Sequence, residues 1–389
     1  MPLPLVQRPS QDIEPKRRGD SLRRKDVWGC PHDANGYSPR LAVTKFAFII
    51  HPLKPKDVAR KFPIARWVPD PILEQFLKRK RPVVASHVTG IQSITGATTE
   101  GWFIGCPLTP KQMLEDVELA YERIGECARM AADLGAQIIG LGAFTSVVGD
   151  GGVTVAQRSP IAVTTGNSYT VATAIEGTLK ACAEVGVNPA DAKLAVVGAT
   201  GSIGKTCARV LARDFGSVLL VGRDLERTQA VADEIDGAEA TTDLARVYDA
   251  DVIVTVTSSD SAVLEPKHLR PGAIVCDVAR PRDVSIRVAK ERPDVLVIEG
   301  GVVAVPGDVQ FNFNFGFPPR TAYACMSETI MLALDDRPES FTLGKDVSVE
   351  QVEETQRLAR KHGFKLQKFR SFEKEVEESA IQRARDARL

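Results

Sequence analysis

The stretch LAVVGATGSIG, Leu194 to Gly204, decides how the rest of the chain is read. Leu194 to Val197 is a short apolar run of the kind that forms a buried strand. Gly198, Gly201 and Gly204 follow at regular spacing. The first glycine permits a tight turn, the second lets the backbone approach a pyrophosphate, and the third lets a helix lie against the strand. The free N–H groups and dipole at that helix start face an anion. Gly198, Ala199, Thr200, Gly201, Ser202, Ile203 and Gly204 are thus the candidate cradle of a dinucleotide. A helix is predicted from Ile203 to Asp214.

Moving outward, Ser217 to Arg223 (SVLLVGR) reads as a second strand, whose end is where an adenosine ribose is recognised. An acidic residue there selects NAD. This chain has Arg223, with Asp224 beside it and Arg227 one helical turn on. A guanidinium suits a 2′-phosphate, so NADPH is the expected cofactor. Further apolar runs lie at Asp251–Ser259, Gly272–Pro281 and Asp294–Val303. They are apolar on both alternating positions, as in a parallel sheet covered on both faces. Ligands sit at the carboxyl ends of such strands. That topology brings Thr257, Ser258, Asp277, Gly300 and Gly301 toward the cofactor, with Thr257 and Ser258 best suited to ribose or nicotinamide.

Upstream, Lys45 to Leu53 (KFAFIIHPL) reads as a strand, followed by helix candidates near Pro55–Lys61 and Pro71–Arg79. Strands broken by glycine turns fill Val83 to Leu108. A helix begins at Pro110, with apolar positions from Met113 to Leu134 at helical spacing, and Gly135 ends it. Ala136 to Gly149 is a strand entering a glycine-rich loop. The loop Val163 to Thr170 (VTTGNSYT) either faces an interdomain cleft or caps the next helix through Asn167 or Ser168. The fold class is α/β: a Rossmann-type doubly wound parallel sheet, a smaller N-terminal α/β domain and C-terminal helices. The expected segments are a basic extension over 1–43, a substrate domain over 44–165 and a nucleotide domain with its leading helix over 166–310. A helical segment over 311–372 and a charged, frayed tail over 373–389 follow.

At 389 residues the chain can bury two sizeable cores. Lys plus Arg and Asp plus Glu are 50 each, so net charge gives no sign of a nucleic-acid partner. Only local basic clusters stand out: Lys16, Arg17, Arg18, Arg23, Arg24 and Lys25, then Lys54, Lys56, Arg60, Lys61, Arg66 and Lys78 to Arg81. No apolar run approaches the ~20 residues that span a bilayer, and the first residues lack the apolar core of a secretion signal. The 7 cysteines form no CxxC pair, which fits a reducing, cytoplasmic setting and argues against a structural metal.

A nicotinamide enzyme must also hold or activate a substrate. His51 and His87 stand at strand ends, His268 on a polar stretch, and no Tyr-x-x-x-Lys follows the glycines. Cys127, Cys182 and Cys207 take apolar helix positions, Cys276 lies within a strand, Cys30 in the extension, and Cys106 ends a strand. Cys325 differs. It stands near the start of a helix beginning at Arg320 or Thr321, where the helix N-terminus lowers a thiol pKa. A thiolate there can attack a thioester or aldehyde; the alternative is burial as a helix hydrophobe.

The segments FAFIIHPL, GWFIGCPLTP, LGAFTS, TTGNSYT, AVVGATGSIG, EGGVV, YACMSETIMLAL and KHGF occur in one order between Phe46 and Phe364. In these the chain resembles the cyanobacterial-type long-chain acyl-[acyl-carrier-protein] reductases. The resemblance implies NADPH-dependent reduction of a fatty acyl thioester to a fatty aldehyde, with Cys325 as the nucleophile that becomes acylated. It implies an acyl carrier protein or acyl-CoA as substrate donor and an aldehyde-consuming enzyme downstream. Ser202 departs from the family, whose members carry an acidic residue there. The basic stretch after His51 suits an acidic carrier protein or a peripheral contact with an anionic membrane. Two other readings compete: a shikimate-dehydrogenase-like oxidoreductase using a Lys–Asp pair, and a non-catalytic NADP-binding sensor.

Overall fold

The computed structural model describes residues 43–60, 63–259, 261–314 and 316–388. The basic cluster from Lys16 to Lys25, Cys30, His32 and Lys61 lie outside the described residues. Two six-stranded sheets organise the chain from residue 42 onward.

The first sheet contains β1 (Phe46–Ile50), β2 (Val83–Gln92), β3 (Thr98–Gly105), β4 (Ile138–Gly140) and β5 (Ala162–Thr164). Its order from β2 is β2-β3-β1-β4-β5, with β2–β3 antiparallel and the other pairs parallel. The helix Val117–Asp133 packs its Ala120, Ile124, Cys127, Ala128 and Ala131 against this sheet, with Ala47, Ile49, Ile104 and Ile139 opposite. That periodic face is the one expected from the apolar spacing.

The second sheet contains β6 (Lys193–Val197), β7 (Ser217–Val221), β8 (Ala238–Thr241), β9 (Val252–Thr255), β10 (Ile274–Asp277) and β11 (Leu296–Glu299). Its order is β11-β10-β9-β6-β7-β8, and every pair is parallel. Strand order reverses between β6 and β9, which opens a crevice at their carboxyl ends. Leu194, Ala195 and Val196 of β6 are all fully buried, as are Val252, Ile253 and Val254 of β9. Both faces of this sheet are covered, so alternation disappears from its strands. The fold is therefore the doubly wound α/β class expected from the glycine motif and its flanking runs.

Three segments differ from the sequence reading. After β12 (Val302–Ala304), β13 (Gly307–Gln310) returns to the first sheet and pairs antiparallel with β2, so these last residues of the 166–310 segment belong to the first sheet. The expected helix at Arg320 or Thr321 instead begins with β14 (Thr321–Tyr323), and the helix itself spans Ala324–Leu334. β14 forms because β12 offers it an antiparallel edge, Val302 opposite Tyr323. The tail is folded rather than frayed. A helix over Glu378–Asp386 buries Ile381 and Ala384, and Arg388 donates to Asp251 at 2.8 Å. Its two apolar anchors are hidden among charges in the sequence. No helix among the described residues is long and apolar enough to cross a membrane.

Candidate active site

One cavity of about 1580 Å³ runs from the carboxyl ends of the second sheet to the carboxyl ends of β1 and β3 in the first. Pockets for drug-sized ligands run to ~300–1,000 Å³, so this space is large enough for more than one such ligand. Gly198, Thr200, Gly201, Ser202, Ile203, Arg223, Arg227, Thr257, Ser258 and Cys325 all line it. Ala199 and Gly204 are buried behind the wall.

The nucleotide end is built by close backbone approach. A Cβ on Gly204 would lie 2.3 Å from the Gly198 carbonyl oxygen, and one on Gly198 would lie 2.7 Å from that of Val256. On Gly201 it would meet nothing nearer than 3.4 Å, so this glycine leaves room on the cavity side. The helix Ser202–Leu211 has no side-chain cap at its start. Its first N–H groups are left for an anion. These residues fit a dinucleotide pyrophosphate. At the adenosine end Arg223 and Arg227 are exposed. Asp224 is used as a cap instead, accepting from the Arg227 N–H at 3.0 Å. Thr257 is spent elsewhere too. Its N–H donates to Asp283 at 2.7 Å and its hydroxyl donates to the same carboxylate. Ser258 is the exposed hydroxyl of the pair.

Asp277 does not line the cavity. Its carboxylate accepts from the N–H groups of Ala279 and Val284, both at 3.1 Å. Burial pushes it up to about 6, against the pull of Arg280. Gly300 and Gly301 do reach the wall.

Cys325 is the second residue of the helix Ala324–Leu334 and is half-buried at the cavity wall. Three contacts hold it. The Ala324 N–H donates to the Gly301 carbonyl at 2.7 Å. Gly166, with φ +75°, backs directly onto it: a Cβ there would stand 2.3 Å from the Cys325 Cα. Glu328, one turn further, is completely buried and reaches the same corner. It accepts from Thr164 Oγ1 at 2.5 Å, Thr342 Oγ1 at 2.8 Å and the Tyr169 N–H at 2.9 Å.

The last of these bonds caps the helix Asn167–Val185, whose N-terminal residue Gly166 has no side chain to do so. Neither Asn167 nor Ser168 is the cap. Asn167 and Thr170 line the cavity, and the Asn167 amide donates to Ser202 Oγ at 3.4 Å. The loop therefore joins the thiol corner to the phosphate turn. Gly166 and Glu328 were not singled out from the sequence. The TTGN and SET motifs were the available signals, but their meeting across the fold was not.

The electrostatics overturn one expectation. The helix start does not leave Cys325 acidic: burial pushes its thiol up to about 12, the Glu328 carboxylate adds to this, and the Met326 N–H and Arg280 only partly oppose it. Arg280 shares the cavity and sits over the Tyr323 ring at 5.6 Å. Burial works against its charge, but Tyr323, Glu299 and Asp277 outweigh it and hold it protonated. A thiol so raised is protonated at neutral pH, and thiolate grows as pH rises. Iodoacetamide modification of Cys325, read by peptide mass, is expected to accelerate about tenfold per pH unit from 7 to 9 without a plateau. A plateau below pH 8 contradicts this.

The remaining candidates are structural. His51 lines the cavity, but its Nε2 accepts from the Phe144 N–H at 3.0 Å and its Nδ1–H faces the Pro52 carbonyl at 3.1 Å. Burial lowers its pKa to about 4, so it is a neutral brace. His87 stacks on Trp102 and pairs with Glu100. Cys106 also reaches the cavity but is buried, and the Cys127 thiol hydrogen-bonded to it holds its own thiol below the usual range against the effect of burial.

Comparison with known proteins supports the nucleotide half most directly. Residues 181–299 match the shikimate / quinate 5-dehydrogenase family. The chain is 30% identical over 316 residues to the aminotransferase PigE of a Serratia species, covering 78% of this chain and 37% of that protein. It is 25% identical over 325 residues to the long-chain acyl-[acyl-carrier-protein] reductase of Synechococcus elongatus, covering 79% of this chain and 94% of that one. Among solved structures, glutamyl-tRNA reductase from Methanopyrus kandleri is 25% identical over 48% of each chain, with a TM-score of 0.29. The second sheet is thus a nicotinamide-nucleotide-binding domain of the oxidoreductase type. The chain spans little more than a third of the length of PigE.

Proposed function

We propose that this protein reduces a long-chain acyl thioester to an aldehyde with NADPH, through an acyl intermediate on Cys325. The observation that carries the reading is one cavity shared by a phosphate turn, a cysteine at a helix start and an apolar arm. That arm is lined by Val58, Ile64, Val68, Ile72, Leu73 and Phe76. The likeness to the Synechococcus reductase over nearly its whole length supports it.

The phosphate turn and the first N–H groups of the helix Ser202–Leu211 hold the pyrophosphate. Arg223 and Arg227 take the 2′-phosphate. Bound there, the dihydronicotinamide supplies a hydride. The cysteine sulfur adds to the thioester carbonyl carbon, the bond from that carbon to the carrier sulfur breaks, and the carrier leaves as a thiol with the proton Cys325 gives up. Arg280, the half-buried cation of this corner, lowers the cost of negative charge on sulfur and on the carbonyl oxygen. After reduction the Cys325–carbon bond breaks, releasing aldehyde, and the sulfur regains a proton.

Stearoyl or palmitoyl thioester incubated with protein and NADPH is expected to yield the matching aldehyde, one per NADPH oxidised. NADPH binding without aldehyde sinks the reading in favour of a sensor; hydroxy-acid turnover that survives Cys325→Ser favours a shikimate-dehydrogenase-like enzyme. For cofactor choice, Arg223→Ala is expected to weaken NADPH about tenfold and leave NADH unchanged. Equal loss of both cofactors contradicts a 2′-phosphate contact.

A further inference from the structure

The segment between β1 and β2 carries apolar side chains on its outside as well as on the cavity side. In the helix Asp70–Arg79, Leu73 and Leu77 are buried. One step round, Ile72 and Phe76 remain 61% and 53% exposed, at the rim of the apolar arm. Ile64 is 76% exposed. Trp67 is 86% exposed and takes no part in lining the cavity. A bulky patch of this kind on a folded surface marks a contact.

The same segment is basic. Arg66, Arg79, Lys80 and Arg81 are exposed. Lys80 lies over the Phe76 ring at 4.4 Å, which places charge and apolar surface side by side. The acids nearby are partly occupied: Asp70 faces Lys56 at 3.5 Å, and Asp57 accepts from the Lys54 N–H at 2.8 Å.

We propose that this segment docks the protein on an anionic lipid bilayer. Trp67 and Ile64 enter the headgroup boundary, and Arg66, Arg79 and Arg81 face the phosphates. Charge alone suits an acidic carrier protein equally well. The outward indole of Trp67, which stands off the cavity altogether, favours the bilayer, because a membrane boundary uses both apolar side chains and cations. The apolar arm then opens toward the bilayer, into which a long-chain aldehyde partitions. Only this last consequence rests on the acyl reading; the docking itself does not.

The test is flotation of the full chain with vesicles of equal phosphatidylglycerol and phosphatidylcholine, against phosphatidylcholine alone, without substrate. Wild type is expected to float with the anionic vesicles only, and its Trp emission to shift to the blue. Trp67→Phe should remove that shift. Arg66→Glu and Arg79→Glu should each weaken binding about fivefold or more, with NADPH binding intact as the measure of folding. Absence of phosphatidylglycerol-dependent flotation overturns the proposal, as does binding indifferent to these variants. Capture of an acidic acyl carrier protein by the same residues, without vesicle binding, overturns it too. None of these results bears on whether aldehyde is formed, which the thioester assay decides.

Discussion

Cys325→Ser is expected to lower thioester-dependent NADPH oxidation by about a thousandfold or more, the scale of losing a covalent nucleophile. Serine is nearly the same size, so the half-buried site at the second position of its helix keeps its packing. The contacts that hold the helix involve the Ala324 N–H and the Glu328 carboxylate, not the sulfur. NADPH affinity and melting temperature should therefore stay close to wild type. A variant that keeps more than about a tenth of the activity would remove Cys325 from the chemistry.

Gly166→Ala has the second-largest expected effect, through position rather than chemistry. The new methyl would stand 2.3 Å from the Cys325 Cα and 2.4 Å from its Cβ. Backbone surrounds the point, so relief requires the helix start or the Gly166 turn to move. A displacement of about 1 Å at a reacting group costs on the order of a hundredfold in rate. The left-handed φ of +75° adds about 1–2 kcal/mol of instability for any side chain. The variant should fold and bind NADPH, with kcat reduced about a hundredfold. Unchanged kcat would show that Gly166 does not set the position of Cys325.

These two residues mark where the sequence was legible. Cys325 stands out locally as a candidate, from its place near the start of a helix after a Pro-rich loop. The strands of the second sheet are equally local, because full burial on both faces writes itself as unbroken apolar runs. Gly166 is different. Its need for a missing side chain arises only when the turn before Asn167 meets a helix far along the chain. Glu328 is the same case: its partners Thr164 and Tyr169 are 164 and 159 residues away in sequence. Its burial pushes its carboxyl above the usual range, against the donors around it: Thr164, Thr342 and the Tyr169 and Gly166 N–H groups. Neither periodicity nor spacing carries that information.

The raised thiol has the same origin. A helix N-terminus argues for an acidic cysteine, but the cavity wall removes water from the sulfur, and that loss outweighs the helix start. The tail was missed for a simpler reason: Ile381 and Ala384 are two anchors in a run otherwise dominated by charge.

The most direct measurement is intact-mass analysis of the protein given palmitoyl or stearoyl thioester without NADPH. The mechanism predicts a covalent adduct of one acyl group, located on Cys325, that disappears when NADPH is added and aldehyde appears. A protein that stays unmodified in the absence of NADPH, yet still forms aldehyde when it is supplied, would contradict the acyl intermediate on Cys325.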